Sequence, residues 1–318
     1  MLSVSDHLQL SKEPRLMLTR EDDVDARNFF TTAFITSVLG LNFWINDWQS
    51  FYKLKNVREI IKKHYEQVGH FIEMNISQIR SRPGVTSLYM LRNYIDDGTI
   101  TDSLIDIYEA AVLNTHGDSE FEAAKHDLVK YSTIEPLFPE KNKLANLVTY
   151  YEAIRPIGDT RDIADYWLQY GIACNIHSDF DRAQTAFDNA YARERSKRSP
   201  NTKKIDNYYA RFQIEKAVYI NDSEEAYRLF RSGAITLMKQ IFAADNRHYP
   251  FKAGRSLAAL AGKHYDHWNP SQRKVFLSDC RGLRDKAILW RDKNRVPQID
   301  VDVLIKEANI ILQHASDP

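Results

Sequence analysis

The 318-residue sequence predicts an all-α fold, and three observations carry that prediction. There are only 11 Gly and 10 Pro, too few for a turn-dense β fold. From residue 83 onward apolar side chains recur at three- and four-residue intervals, the period of a helix that buries one face. Finally, the stretch Asp162–Glu215 spaces large and small residues as a two-helix unit does. With Trp167 in the fourth position of such a unit, Gly171 follows four residues later, Ala183 sixteen, Phe187 twenty and Ala190 twenty-three. This is the pattern of a tetratricopeptide-type helix–turn–helix. Small residues at Gly171, Ala183 and Ala190 let two antiparallel helices approach closely, while Trp167, Tyr170 and Phe187 fill the space between them. One such pair cannot bury its apolar face alone, so neighbouring helices must stack on it. The expected architecture is a tetratricopeptide-like helical repeat array over residues 83–318, a small winged-helix-like element over 21–82 and a lead-in segment over 1–20.

Asp22, Asp23 and Asp25 supply a cap and negative charge at a first helix start. That helix, from about Ala26 to Leu39, presents Phe29, Phe30, Phe34, Ile35 and Val38 and stops near Gly40. Trp44–Leu54 and Val57–Val68 suit two further helical segments. Between Phe71 and Ile79 the period becomes two: Ile72, Met74 and Ile76 alternate with Glu73, Asn75 and Ser77, as in a short strand or one arm of a hairpin. Helices followed by a ribbon suggest the winged-helix-like element. Pro83 sits where a first-turn proline would, opening a helix that ends at Asp96-Asp97-Gly98. Thr101 or Asp102 is the expected cap of the next one. Helices then follow near 119–131, 140–154, 159–176, 179–195, 205–218, 224–242, 252–268, 271–294 and 300–314, separated by Pro, Gly or Asn-Asp-Ser breaks. Ala226 and Phe230 repeat the spacing of Ala183 and Phe187 after 43 residues, longer than a standard tetratricopeptide unit, so the repeats are degenerate.

Lys plus Arg equals Asp plus Glu at 43 each, which excludes a global field for nucleic acid or anionic lipid but leaves room for a local patch. Cys174 and Cys280 lie in helical patterns and read as buried free thiols of a reducing compartment. The most apolar run, Phe29–Trp44, is interrupted by Thr and Ser, and the N-terminus lacks a secretory pattern. The expectation is a cytoplasmic protein without a membrane partner.

Several segments in order carry a family resemblance over roughly residues 70–250: Arg80-Ser81-Arg82, Tyr150-Tyr151-Glu152, Trp167-Leu168-Gln169-Tyr170 and Ile205-Asp206-Asn207-Tyr208-Tyr209-Ala210-Arg211-Phe212. In this arrangement the chain resembles the helical C-terminal half of bacterial signal-transduction NTPases of the STAND type. In that family a P-loop ATPase core precedes a winged-helix-like part and tetratricopeptide-like helices, and many members act in anti-phage defence, fused to sirtuin-like, TIR or nuclease effectors. The resemblance implies a protein-interaction or sensor-scaffold module whose partner is a phage component or a companion NTPase or effector subunit. The nucleotide-binding motifs of the family have no counterpart in this sequence, so ATP hydrolysis does not carry over.

The chemistry-bearing strings mostly favour structural readings. A P-loop needs Gly-x4-Gly-Lys-Ser/Thr to wrap phosphate and reach Mg²⁺. The nearest string, Gly254…Gly262-Lys263-His264, has the wrong glycine spacing and no hydroxyl. Arg58 and His64 have the spacing of HEPN-type ribonucleases, in which Arg holds the scissile phosphate and His exchanges a proton, but Glu59 departs from that signature. A HEPN-like ribonuclease is the enzymatic alternative, against a charged face of an amphipathic helix. His264 and His267 share a helix face but lack a third ligand at diagnostic spacing, and read as a polar rim rather than a metal site. Asp179 and Asp181 read as helix-capping residues. The strongest charge feature is Arg193, Arg195, Lys197, Arg198, Lys203 and Lys204, followed by Tyr208 and Tyr209. It is either a nucleic-acid-binding patch or a solvated helix end whose cations favour the C-terminal dipole. No catalytic residue, metal ligand or cofactor is assigned.

Overall fold

The computed structural model describes residues 24–43, 47–48, 51, 57, 59–60, 62–63, 72–74, 79–81, 84–114, 119–241, 249–294 and 299–315. Among the described residues, the regular elements are thirteen α-helices, short 3₁₀ segments and one two-stranded ribbon, so the chain is all-α. It divides into two compact units, Met1–Ala173 and Cys174–Pro318. None of the described helices is long and apolar enough to cross a membrane. The lead-in 1–20 and Pro83 lie outside the described residues, as does most of 44–71.

In the first unit, α1 (Val24–Leu39) is buried on several sides through Phe29, Phe30, Phe34 and Ile35. It ends at Gly40, whose φ of 69° is the left-handed value expected past a helix C-terminus. The ribbon pairs β1 (Ile72–Met74) antiparallel with β2 (Ile79–Ser81), Ile72 facing Ser81. Ile72–Met74 of the period-two stretch is thus a strand of an antiparallel pair, while Ile76 lies outside the described residues. Next come α2 (Gly84–Tyr94), α3 (Asp97–Leu113), α4 (Ser119–Val129), the single turn α5 (Tyr131–Ile134) and α6 (Lys143–Ile154). The cap of α3 is Asp96, five residues before the expected Thr101. Its carboxylate accepts from the Thr99 backbone at 2.8 Å and the Thr99 hydroxyl at 2.6 Å. Burial pushes the Asp96 pKa upward, but the Thr99 hydrogen bonds outweigh that and leave it lowered. Thr101 sits inside the helix, donating back to the Asp97 carbonyl.

Tyrosines organise the rest of this unit. Tyr150 and Tyr151 donate their hydroxyls to the Leu128 and Val129 carbonyls at 2.9 and 3.0 Å. On α7 (Ala164–Ile176), Tyr166 donates to the Tyr151 carbonyl and Trp167 to the Arg161 carbonyl, both at 2.7 Å. Tyr170 stacks on Tyr151 with ring centroids 5.1 Å apart and donates to Glu152. The Tyr150-Tyr151-Glu152 and Trp167–Tyr170 motifs therefore serve packing.

The division between units falls within α7, and residues 174–176 belong to the second. After them Ser178 takes φ 62°. Its N–H donates to the Asn175 carbonyl and that of Asp179 to Cys174, a paired closure of the helix C-terminus. Asp179 then caps α8 (Phe180–Arg195), as expected. Asp222 caps α10 (Ser223–Gln240), which follows α9 (Lys203–Tyr219). The expected helix 252–268 is interrupted. Residues Tyr249–Ser256 wind as 3₁₀, then α11 (Leu257–His264) begins, followed by α12 (Pro270–Asn294) and α13 (Ile299–His314). In the 3₁₀ segment Gly254 comes so near α13 that a Cβ would lie 2.5 Å from the Leu304 Cα.

Ala183, Phe187 and Ala190 on α8 are fully buried, as are Ala226 and Phe230 on α10, so the Ala-x3-Phe spacing marks core faces in both helices. Gly171, Trp167 and Tyr170 are buried in the first unit. The ring neighbours of Phe187 are Tyr209 and Phe212 of α9. The crossing of α9 and α10 depends on Gly233, where a Cβ would lie 2.7 Å from the Ala210 carbonyl oxygen. Backbone cannot yield as a flexible side chain can, so Gly233→Ala should destabilise the protein by about 1–3 kcal/mol. Phe187→Ala should cost about 3–5 kcal/mol. Urea denaturation of the two variants checks both values.

Candidate functional site

Three consecutive helices of the second unit, α8, α9 and α10, border an open groove of about 510 Å³. Helical spacing brings Asp188, Tyr191 and Arg195 to it from α8, and Asp206, Tyr209 and Gln213 from α9. Asp206 is its hub. One carboxylate oxygen accepts from the Tyr191 hydroxyl at 2.8 Å, and the other accepts from Thr202 at 3.1 Å and Gln240 at 3.2 Å. Burial, and then the Asp206 carboxylate, hold the Tyr191 phenol well above its ordinary pKa, so Tyr191 remains a donor. Gln184 bridges Asp188 and the Tyr209 hydroxyl at 3.0 and 3.1 Å, and Gln213 donates to Ser232 on α10. Asp188 and Asp206 form no ion pair among the described residues. The Arg195 guanidinium lies over the Tyr191 ring, 4.8 Å from its centroid. The floor is thus hydrogen-bonded across three helices, while the rim carries exposed charge of both signs at Asp188 and Arg195.

The six expected basic residues occupy the end of α8, its link and the start of α9. They are not one uniform patch. Lys197 pairs with Glu194 at 2.6 Å, and the other Glu194 oxygen accepts from the Asn201 N–H at 2.9 Å. Burial raises the Glu194 pKa, yet the Lys197 and Asn201 hydrogen bonds prevail and leave it lowered. Glu194 therefore staples the link to the helix end. Arg195 belongs to the groove rim. Arg198 and Lys203 are exposed and meet no carboxylate among the described residues. Arg193 is half-buried and Lys204 exposed.

Other strings resolve differently. Arg58 and His64 lie outside the described residues. His264 is buried, not on a polar rim as expected, because its helix face turns into the core. Its Nε2–H donates to the Ala217 carbonyl at 3.1 Å and its Nδ1 accepts from the Ser223 hydroxyl at 3.0 Å, which uses both ring nitrogens in the neutral tautomer. Among the described residues, no group of three or more His, Cys, Asp or Glu is arranged to hold a metal ion. Cys174 and Cys280 are buried free thiols. The Asp206–Tyr191–Gln240 hub has no local sequence signal, since its members are joined only by the stacking of three helices.

Burial, reinforced by neighbouring Lys263 and His267, lowers the His264 pKa below its ordinary value of 6.5. The unfolded chain then binds the proton more readily than the folded one. His264 thus contributes stability that is present above pH 6.5 and is lost as pH falls through the lowered folded value. Thermal melts between pH 8 and 5 should show a steeper acid-side loss for wild type than for His264→Gln, whose side chain does not titrate. No family model, curated protein or solved structure matches the chain.

Proposed function

We propose that the chain is a non-enzymatic protein-interaction module whose α8–α10 groove holds a segment of a partner protein. The single observation that carries this reading is the groove itself. Its floor groups already satisfy one another, whereas Asp188 and Arg195 at the rim remain available to a partner. A preorganised floor with charged groups at the edge gives register and specificity without ordering cost on this side of the interface. The same floor offers no nucleophile beside a free base, because Tyr191 and Asp206 are committed to each other. In the context implied by the family resemblance, the module is a tetratricopeptide-like sensor or scaffold of a bacterial signalling NTPase or anti-phage system, working in the cytoplasm. Its partner is then a companion NTPase or effector subunit, or a phage component.

A second reading has its own observation: Arg195 at the end of α8, Arg198 in the link and Lys203 at the start of α9 are exposed and meet no carboxylate among the described residues. Such a cluster contacts phosphates, and binding would fall steeply with salt.

The groove reading is tested by recovering cross-linked partners with the full chain, with and without phage challenge. Asp188→Lys combined with Arg195→Glu removes only the exposed Gln184–Asp188 and Arg195–Tyr191 contacts, so the variant should still melt cooperatively, with a loss of about 1 kcal/mol or less. Recovery of the specific partner should drop at least about tenfold, the equivalent of one lost charge pair. Undiminished recovery with this variant would place the interface elsewhere. Salt-sensitive retention of RNA or DNA, lost in Arg198→Glu/Lys203→Glu, would favour the second reading.

A further inference from the structure

The α8 rim of the groove carries a charge pattern that one chain alone leaves unused. Along α8, Asp181, Thr185, Asp188, Ala192 and Arg195 are all exposed. Their spacing alternates four and three residues, which keeps them in one stripe along the helix. Asp188, Ala192 and Arg195 of this stripe border the groove.

The charges on the stripe are sorted by position. Its N-terminal half is negative, at Asp181 and Asp188. Its C-terminal end is positive, at Arg195, and exposed Arg198 follows in the link. None of these four meets an opposite charge among the described residues, whereas Arg182, the other exposed cation of α8, is paired with Asp179. Asp188 and Arg195 are two helical turns apart, about 10.5 Å along the axis, too far to pair with each other. The Arg195 guanidinium lies over the Tyr191 ring and makes no hydrogen bond among the described residues. That ring is itself fixed by the Asp206 carboxylate. Arg195 is therefore held in place with the fork of N–H groups that suits a carboxylate still unused.

A stripe with sorted charges is complementary to its own reverse. Let two copies of α8 lie antiparallel about a two-fold axis at Ala192. Asp188, four residues before the axis, then comes opposite Arg195 of the second copy, three residues after it. The axial mismatch is about 1.5 Å. The pairing occurs twice, as in any isologous contact. Ala192 and Thr185 are small enough to let the helices approach to packing distance. A parallel arrangement would set like charges side by side. The formal net charge is zero, so no long-range repulsion opposes two copies.

We propose that the rim of the groove binds a second copy of this chain, as an antiparallel α8–α8 pair joined by two Asp188–Arg195 ion pairs. The proposal rests on the reading of the groove as an interaction surface and adds a competition to it: a partner segment that uses the same rim charges displaces the second copy. The stripe has no large apolar side chain, so the contact is weak and salt-sensitive.

The test is sedimentation velocity of the full chain over a range of concentrations. Wild type should exchange reversibly between monomer and dimer, with the dimer at least about tenfold weaker in about 0.5 M salt than in about 0.05 M. Asp188→Lys and Arg195→Glu each turn two attractive pairs into two repulsive ones, so each should weaken the dimer at least about tenfold. The double variant exchanges the signs on both copies and should return to within about threefold of wild type. An equimolar mixture of the two single variants should form a heterodimer, since one carries two cations at the rim and the other two anions. The double variant also separates the two readings, because it keeps the dimer while losing the partner. Undiminished partner recovery would strike the partner reading alone. A wild type that stays monomeric up to roughly millimolar concentration, a dimer indifferent to either single reversal, or a double variant no more associated than the singles would each overturn this proposal.

Discussion

A helix leaves its last carbonyls without partners inside the helix, and a buried helix end must find donors elsewhere. In this protein large side chains supply them. Tyr150 and Tyr151 donate to the end of α4, and Tyr166 donates to the last turn of α6. His264 reaches the last turn of α9, joined there by Lys263 at the Val218 and Tyr219 carbonyls. Each of the Tyr and His bonds joins the apolar body of a side chain, packed in the core, to a polar tip that a helix end requires. Aromatic residues do two jobs at once: they fill volume, and they set where neighbouring helices stop. The stacking within each unit depends on this match.

The same constraint separates architecture from function. The tyrosines and the tryptophan of Tyr150-Tyr151-Glu152 and Trp167-Leu168-Gln169-Tyr170 are spent on helix ends and ring stacking. These strings therefore mark a way of packing helices, not a chemical site. The α8–α10 groove is also well bonded, but its bonds run along the floor and leave the rim available. Around Asn175 the accounting is left open on one buried amide oxygen, which meets no donor among the described residues.

Much of the fold is legible in the sequence because helix periodicity and caps are local. Asp179 caps where it is expected, Asp222 caps α10 from the Asn-Asp-Ser break, and Gly40 ends α1. The cap of α3 is misplaced by five residues because Asp96, Thr101 and Asp102 are all competent residue types, and only the Thr99 contacts decide among them. His264 reads as a rim residue since spacing reports which face it shares with His267, not whether that face is buried. The basic cluster is visible as composition, but its division by Glu194 depends on a turn geometry that composition does not encode. The groove is less legible still, because Tyr191, Asp206 and Gln240 come from three helices. Asn175 does leave a trace: it is the lone amide in the apolar run Gly171–Ile176, on a stretch whose other residues are mostly buried.

Gly233 and Gly254 have a consequence for how this sequence can change. Neither takes a left-handed φ, so nothing in the local backbone asks for glycine. What excludes a side chain is the surface of another element, at the Ala210 carbonyl in one case and the Leu304 backbone in the other. Such positions cannot drift one at a time. A methyl group at 233 becomes tolerable only if α9 retreats, and that retreat would disturb Phe187 and Phe230 together. In an evolving lineage the two glycines would hold still while the helix faces turned toward solvent vary freely, leaving the protein's surface open to new partners without a change of frame.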